Sequence, residues 1–275
     1  MINIFNYVDR PSPIHRLTGA TKLTCLVLWS LASMVTYDTR LLAIMPVISI
    51  GLFAISHIKL RDVKFMLWVT VVFMVLNNVM VFVFSPQHGV ELYGSKTVLL
   101  ALGGTYDITA EQLFYHLNLF LKYLAAIPIV LLFVCTTNPS EFAASLNRIG
   151  VSYKISYSVA LALRYIPDIQ REYVDISRSQ QARGIEMSKK ESLGKRLRSA
   201  AAILIPLILS SMDRIEVISN AMDLRGFGKH KKRSWYMARP FRAADILAIV
   251  GCAVLLLMAF CCNYLNGGRF YNPFL

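Results

Sequence analysis

The chain has 275 residues, 56% of them hydrophobic and only 16% charged, with a mean hydropathy of +0.51. Soluble domains lie nearer ~45–50% apolar and ~25% charged, so this composition excludes a disordered chain and argues against an ordinary soluble enzyme. The net charge is +13, and the stretch from Arg148 to Arg242 alone holds 19 basic against 8 acidic residues, a net of +11. An apolar chain with one basic stretch reads as a membrane protein carrying a cytoplasm-facing module.

In chain order, apolar runs fall at Leu23–Tyr37, Leu41–Ser56, Val63–Phe84, Leu113–Cys135 and Ala244–Leu265. The last three hold 22 to 23 residues, and a helix of that length spans roughly 33 Å, enough for a ~30 Å hydrocarbon core. The first two are shorter, are separated only by Asp38-Thr39-Arg40, and are also read as spans. The first run begins only at Leu23 and longer ones follow it, a pattern unlike that of a signal peptide. Arg10, Arg16 and Lys22 precede the first run, and Lys59, Arg61 and Lys64 lie between the second and third. The segments expected outside hold little basic charge, Arg40 in one and Lys96 in the longer Ser85–Gln112 stretch. Positive-inside logic therefore places the N-terminus in the cytoplasm, and four crossings return the chain there before the basic segment. The outer loop Ser85–Gln112 carries Pro86, Gly89, Gly94, Gly103 and Gly104 and an apolar piece, Thr97–Leu102.

Past the fourth run, Asn138-Pro139-Ser140-Glu141 reads as a helix start and Gly150 as its stop. A longer helix follows over about Tyr153–Ala182, with Ile155, Val159, Ala162, Ile166, Ile169, Tyr173 and Ile176 at alternating steps of four and three. A third, over about Leu193–Leu224, repeats the pattern with Leu197, Ala201, Leu204, Ile208, Ser211, Ile215, Ile218 and Met222. This is heptad spacing, which lays one stripe along one face, and the two striped helices are expected to pack on each other. Pro167 and Pro206 are expected to bend them. Their ends also match: Ile176-Ser177 leads to Arg183-Gly184, and 42 residues later Ile218-Ser219 leads to Arg225-Gly226. Gly takes the left-handed conformation that ends a helix, and Arg suits the negative end of the macrodipole. Arg-Gly alone is a common helix ending. Two of them at a fixed offset describe two rods, each tipped with a guanidinium suited to carboxylates and carbonyls. The chain thus divides into residues 1–137 (transmembrane helices), 138–242 (a cytoplasmic module of one short and two long crossing helices) and 243–275 (a last span). The fold class is all-α and polytopic, with about five transmembrane helices.

With these features the sequence resembles the transmembrane T component of energy-coupling factor (ECF) transporters, the EcfT/CbiQ family. Ala182-Arg183-Gly184 is similar to the first Ala-Arg-Gly motif of its coupling helices. Leu224-Arg225-Gly226 is similar to the second, with Leu for Ala. Ile14-His15-Arg16-Leu17 and Thr21-Lys22-Leu23 resemble the family's opening, with Thr18-Gly19-Ala20 where Asp-Pro-Arg is usual. The resemblance implies a multi-part importer in the cell membrane. Two ABC-type ATPases would receive the six motif residues, one Arg tip each, and a small membrane S component would capture a vitamin or a transition-metal ion. ATP and magnesium would then belong to the partner ATPases, with no cofactor, metal or catalytic residue in this chain.

The residues support that division of labour. The P-loop pattern G-x-x-x-x-G-K-[ST] is missing, since Gly194-Lys195 lacks both the upstream Gly and the following Ser/Thr. The five cysteines sit in or beside apolar runs without metal-ligand spacing. A self-sufficient secondary transporter or channel would want a midplane ionic site or repeated broken helices. Its nearest candidates are Asn77, Asn78, His116, Asn118 and Lys122, which read instead as interhelical hydrogen bonding and snorkelling. A membrane-embedded lipid-modifying enzyme would want clustered acids, and here the acids of the basic segment alternate with Arg as a solvated face does. The run Lys229–Arg233, followed by Trp235 and Tyr236, reads as a topology anchor at anionic lipid and not as a nucleic-acid patch.

Overall fold

A computed structural model describes residue 10 and residues 12–101, 103, 106–185, 193–230, 234–236 and 239–274. Lys231–Arg233 of the basic run, and Leu102 and Gly104 of the outer loop, lie outside them. The described chain is helical almost throughout: α1 (Gly19–Val35), α2 (Thr39–Ile55), α3 (Leu60–Phe84), α4 (His88–Tyr93), α5 (Ala110–Thr136), α6 (Pro139–Arg148), α7 (Tyr153–Ala182), α8 (Leu193–Leu224) and α9 (Ala243–Leu265). Strands β1 (Val98–Leu100) and β2 (Ile108–Thr109) pair antiparallel between α4 and α5. This is an all-α membrane protein. Three helices, α3, α5 and α9, are long and apolar enough to cross a bilayer, and α1 and α2 are apolar at 17 residues each.

The chain forms two compact units, Met1–Glu141 with Arg239–Leu275, and Phe142–Ala238. In the first, α1 packs on α5 and α9, and α2 packs on α5. Their shared core is Trp29 and Ala32, Leu41 and Met45, Ala125 and Ile129, and Leu255 and Ala259. Pro128 lies inside α5, and with no N–H to offer it leaves the carbonyl four residues back without a helical donor. In a bilayer such a group must be satisfied by a neighbour. Ser49 Oγ of α2 donates to that carbonyl, Leu124 O, at 3.4 Å, and Trp29 Nε1 of α1 donates to Ala125 O at 3.0 Å. Pro128 thus lies beside donors of α1 and α2, the Ser49 hydroxyl being shared with Pro46 O of its own helix at 3.0 Å.

Buried carboxyl and amide groups tie the helix ends. Asp245, in the first turn of α9, accepts from Thr18 N, Thr21 Oγ1 and Arg242 N, each at 2.8 Å, which clamps the starts of α1 and α9. At the other end of the bundle Glu111 accepts from Ser95 Oγ, Thr97 N and Thr97 Oγ1, and so fixes the hairpin to the start of α5. Gly89 N donates to Gln112 Oε1 at 2.7 Å, and a Cβ at Gly89 would lie 2.7 Å from the Gln112 backbone. Only glycine permits that approach. The C-terminal segment is held by Tyr37 N donating to Arg269 O and by Phe270 stacked on Tyr37 at 4.4 Å.

Several of the polar groups at membrane depth bond across helices. His116 Nδ1 lies 3.1 Å from Asn78 Oδ1, linking α5 to α3, and Thr39 Oγ1 donates to the buried Asn118 at 2.7 Å. Lys122 Nζ reaches Met34 O and lies 3.2 Å from the centre of the Tyr37 ring. These are interhelical bonds and an anchored cation, the arrangement expected from the sequence.

Candidate functional site

The candidate site is the pair of helix ends in the second unit. Both α7 and α8 stop by the same local device. Gly184 has φ +83° and Gly226 φ +66°. Gly184 N donates to Gln181 O and Ile185 N to Gln180 O; Gly226 N donates to Asp223 O and Phe227 N to Met222 O. This pair of bonds is the Schellman motif, with Gly in the left-handed position past the cap. In both motifs the residue closing the helix is arginine, Arg183 and Arg225, with Ala182 and Leu224 ahead of them. The same bonds end α6 at Gly150 and α9 at Gly267, but there the corresponding residues are Ile149 and Asn266. The turn is therefore general in this chain, and the guanidinium is what separates these two ends from the others.

Ala182, Arg183, Gly184, Leu224 and Arg225 are exposed and Gly226 is half-buried. The surroundings of the two tips differ. Phe227, next after Gly226, packs on Tyr157 at 4.9 Å and Tyr153 at 5.6 Å, so the end of α8 is seated on the start of α7. Trp235 extends this cluster, its ring 6.4 Å from Tyr157 and its Nε1 donating to Asn147 Oδ1. Arg225 and Arg164 line a cavity of about 370 Å³ there. Among the described residues no comparable ring cluster or cavity adjoins Arg183, which closes α7.

The pairing of α7 with α8 is antiparallel. Gln180 Nε2 donates to Ala202 O at 3.1 Å, Glu172 pairs with Arg214 at 2.7 Å and accepts from Ser210, and Tyr157 meets Phe227. Positions rising along one helix fall along the other. The two arginines are thus not brought together. Arg183 lies about level with the early part of α8, whereas Arg225 lies over twenty residues further along it, roughly 30–35 Å away at 1.5 Å per residue.

The contact face also differs from the expected stripe. Ile155, Ile169 and Tyr173 of α7 and Leu204, Ile208 and Ile215 of α8 are exposed, while Ser156, Ser177, Ile203 and Leu207 are buried. The pair is zipped on a neighbouring face by Glu172, Arg214, Ser210 and Gln180, and much of the apolar stripe is exposed among the described residues. Sequence periodicity locates an apolar face, but it does not say what that face meets. The antiparallel register and the Phe227 anchor are also absent from the sequence reading. The aromatic directly after Arg225-Gly226 was the available signal for the anchor, since an apolar contact commonly accompanies this helix ending. Among the described residues, no three His, Cys, Asp or Glu side chains gather as metal ligands would.

Fold and site together define a polytopic all-α membrane protein whose distinctive elements are an antiparallel helix pair with an arginine cap at each end. The family model for cobalt transport proteins, CbiQ, matches residues 10–235. The chain belongs to this family of transmembrane transport components. It is 28% identical to the energy-coupling factor transporter transmembrane protein EcfT of Bacillus selenitireducens, with 94% of each chain covered. It is 25% identical to EcfT of Streptococcus thermophilus, covering 94% of this chain and 97% of the relative. With EcfT of Bacillus subtilis the identity is 22% over 94% of this chain and 96% of the relative.

Proposed function

We propose that this transmembrane component couples two ATPases to substrate capture in an ECF-type importer. The observation that carries the reading is the placement of the two arginine caps at opposite ends of one helix pair. A single partner gripping both would need to reach roughly 30–35 Å. Two related ABC-type ATPases, one at each tip, fit the spacing and the repeated chemistry. Each guanidinium seats in a groove of one ATPase, donating to carboxylates or backbone carbonyls, with Ala182 and Gly184, or Leu224 and Gly226, flanking it. ATP and magnesium are bound and turned over in those partners, and this chain acts as a non-catalytic lever.

The apolar faces that the chain does not cover suit a small membrane S component. On α3 only Val63 is buried, and Leu204, Ile208 and Ile215 of α8 are exposed. Exposed apolar area of this extent calls for lipid or a protein partner. The S component would capture the cargo, a vitamin or a transition-metal ion. In this reading the N-terminus and the helix pair face the cytoplasm, as the basic loops require.

Arg183→Glu and Arg225→Glu test the assignment. Each reverses charge at an exposed helix end, so each variant should insert in the membrane normally and lose ATPase association by at least about tenfold, the scale of a broken charged contact. Co-purification of ATPases with each variant measures it. Full retention of both ATPases and of transport by both variants would sink the reading.

A further inference from the structure

Where α1 and α9 begin, the first unit holds a cluster of cationic residues next to an apolar cavity, and the coupling role uses neither. Arg16, Arg239 and Arg242 line one cleft of about 340 Å³ together with Thr18 and Pro240. Leu17 and Leu247 belong to the wall of an adjoining cavity of about 320 Å³, which runs among α1, α2, α5 and α9 past Trp29, Phe133 and Gly251. The two share their supports: Leu17 and Thr18 are neighbours, and Leu247 lies about 8 Å along α9 from Arg242. Lys22 lines the apolar cavity with its side chain only 2% exposed, its Nζ donating to Thr136 O at 2.8 Å and 3.8 Å from Glu141. Asp245 is saturated by Thr18, Thr21 and Arg242 N, and Glu141 stands beside Lys22. A Cβ placed on Gly251 meets nothing within 4 Å, so that side of α9 faces open space.

A cationic rim at the start of a membrane span, set over an apolar cavity, matches one class of molecule. We propose that this cleft binds one anionic glycerophospholipid, its phosphate held by Arg16, Arg239 and Arg242 and one acyl chain lying in the cavity past Trp29 and Gly251. A free anion would use the rim and leave the apolar cavity unfilled. A zwitterionic lipid would fill the cavity but gain less from three guanidinium groups, since each basic residue at a membrane surface favours anionic over neutral lipid severalfold. The bound lipid bridges α1, α5 and α9, whose starts and ends meet here, and so stiffens this edge of the first unit.

The test uses the full chain, purified in mild detergent, and native mass spectrometry with equimolar phosphatidylglycerol and phosphatidylcholine of identical acyl chains. One phosphatidylglycerol should be retained on the order of tenfold better than phosphatidylcholine. The triple variant Arg16→Gln, Arg239→Gln, Arg242→Gln should lose that preference. Gly251→Leu, which adds a side chain into the open cavity while improving helix propensity, should lose the retained lipid of either kind and keep its thermal midpoint. Equal retention of the two lipids by the unaltered chain would overturn the proposal. So would an undiminished preference in both variants, or complete displacement of the lipid by millimolar inorganic phosphate, which would reveal an anion site without an acyl chain.

Discussion

Arg183 and Arg225 occupy the same position of the same motif, so their roles can be separated from the turns that present them. The turn depends on Gly184 and Gly226 at φ +83° and +66°, where an L side chain costs about 1 kcal/mol. Gly184→Ala and Gly226→Ala should therefore fray the last turn without removing the guanidinium. Hydrogen exchange at the Ile185 and Phe227 amides, which close the two motifs, should quicken about fivefold. At Gly226 part of the effect should be absorbed by Phe227, which stays pinned between Tyr153 and Tyr157. Unchanged protection in both variants would mean that packing, not the glycine, ends these helices. The motif residues themselves were legible in the sequence because Gly at a helix end is forced by backbone sterics. Their surroundings were not: that the Arg225 tip lies beside an aromatic cluster depends on residues tens of positions away.

At the scale of elements, the ends of α7 and α8 were readable because caps, breakers and glycines are local signals, and the predicted spans Tyr153–Ala182 and Leu193–Leu224 agree with the helices found. The face on which the helices meet was not readable. The heptad stripe marks the most apolar face, yet the pair is joined by Glu172, Arg214, Ser210 and Gln180, and Ile155, Leu204 and Ile208 stay exposed. Burial of apolar surface is non-directional, so a stripe is satisfied equally by a sister helix, a partner or lipid. The specific polar pairs decide which. The antiparallel register has a clean readout, because residues 138–242 contain no cysteine. Gln180→Cys with Ala202→Cys should cross-link under mild oxidation, since Gln180 bonds the Ala202 carbonyl. Gln180→Cys with Met222→Cys should not, the second site lying about 30 Å further along α8. Cross-linking of the second pair alone would reverse the register and bring the two arginine tips to the same end.

For the whole molecule, the apolar runs were found where the helices are, within four residues at each end, because hydrophobicity sustained over such lengths has few alternatives to a buried or membrane-crossing helix. The sidedness predicted from loop charge awaits a direct test. In intact cells, a cysteine introduced at His57, between α2 and α3, should resist a membrane-impermeant maleimide until permeabilisation, whereas one at Gly103, in the outer loop, should react at once. The test is best made in a background with the exposed Cys261 replaced by Ser. The opposite pattern would invert the topology and remove the helix pair from the compartment that holds ATPases.

The sequence by itself determined the class of this protein, the positions of its helices, the two arginine-glycine ends and the family resemblance that the family match and the EcfT relatives bear out. All of these rest on composition and on signals within one or two helical turns, where sterics and hydrophobicity act locally. Only the tertiary structure decided that the two arginines lie at opposite ends of an antiparallel pair. It also decided that much of the apolar stripe stays exposed among the described residues, that the Leu124 carbonyl left without a donor by Pro128 lies within reach of the shared Ser49 hydroxyl, and that three arginines from two distant segments share one cleft. Those facts depend on which side chains meet across long loops, and no local rule contains them.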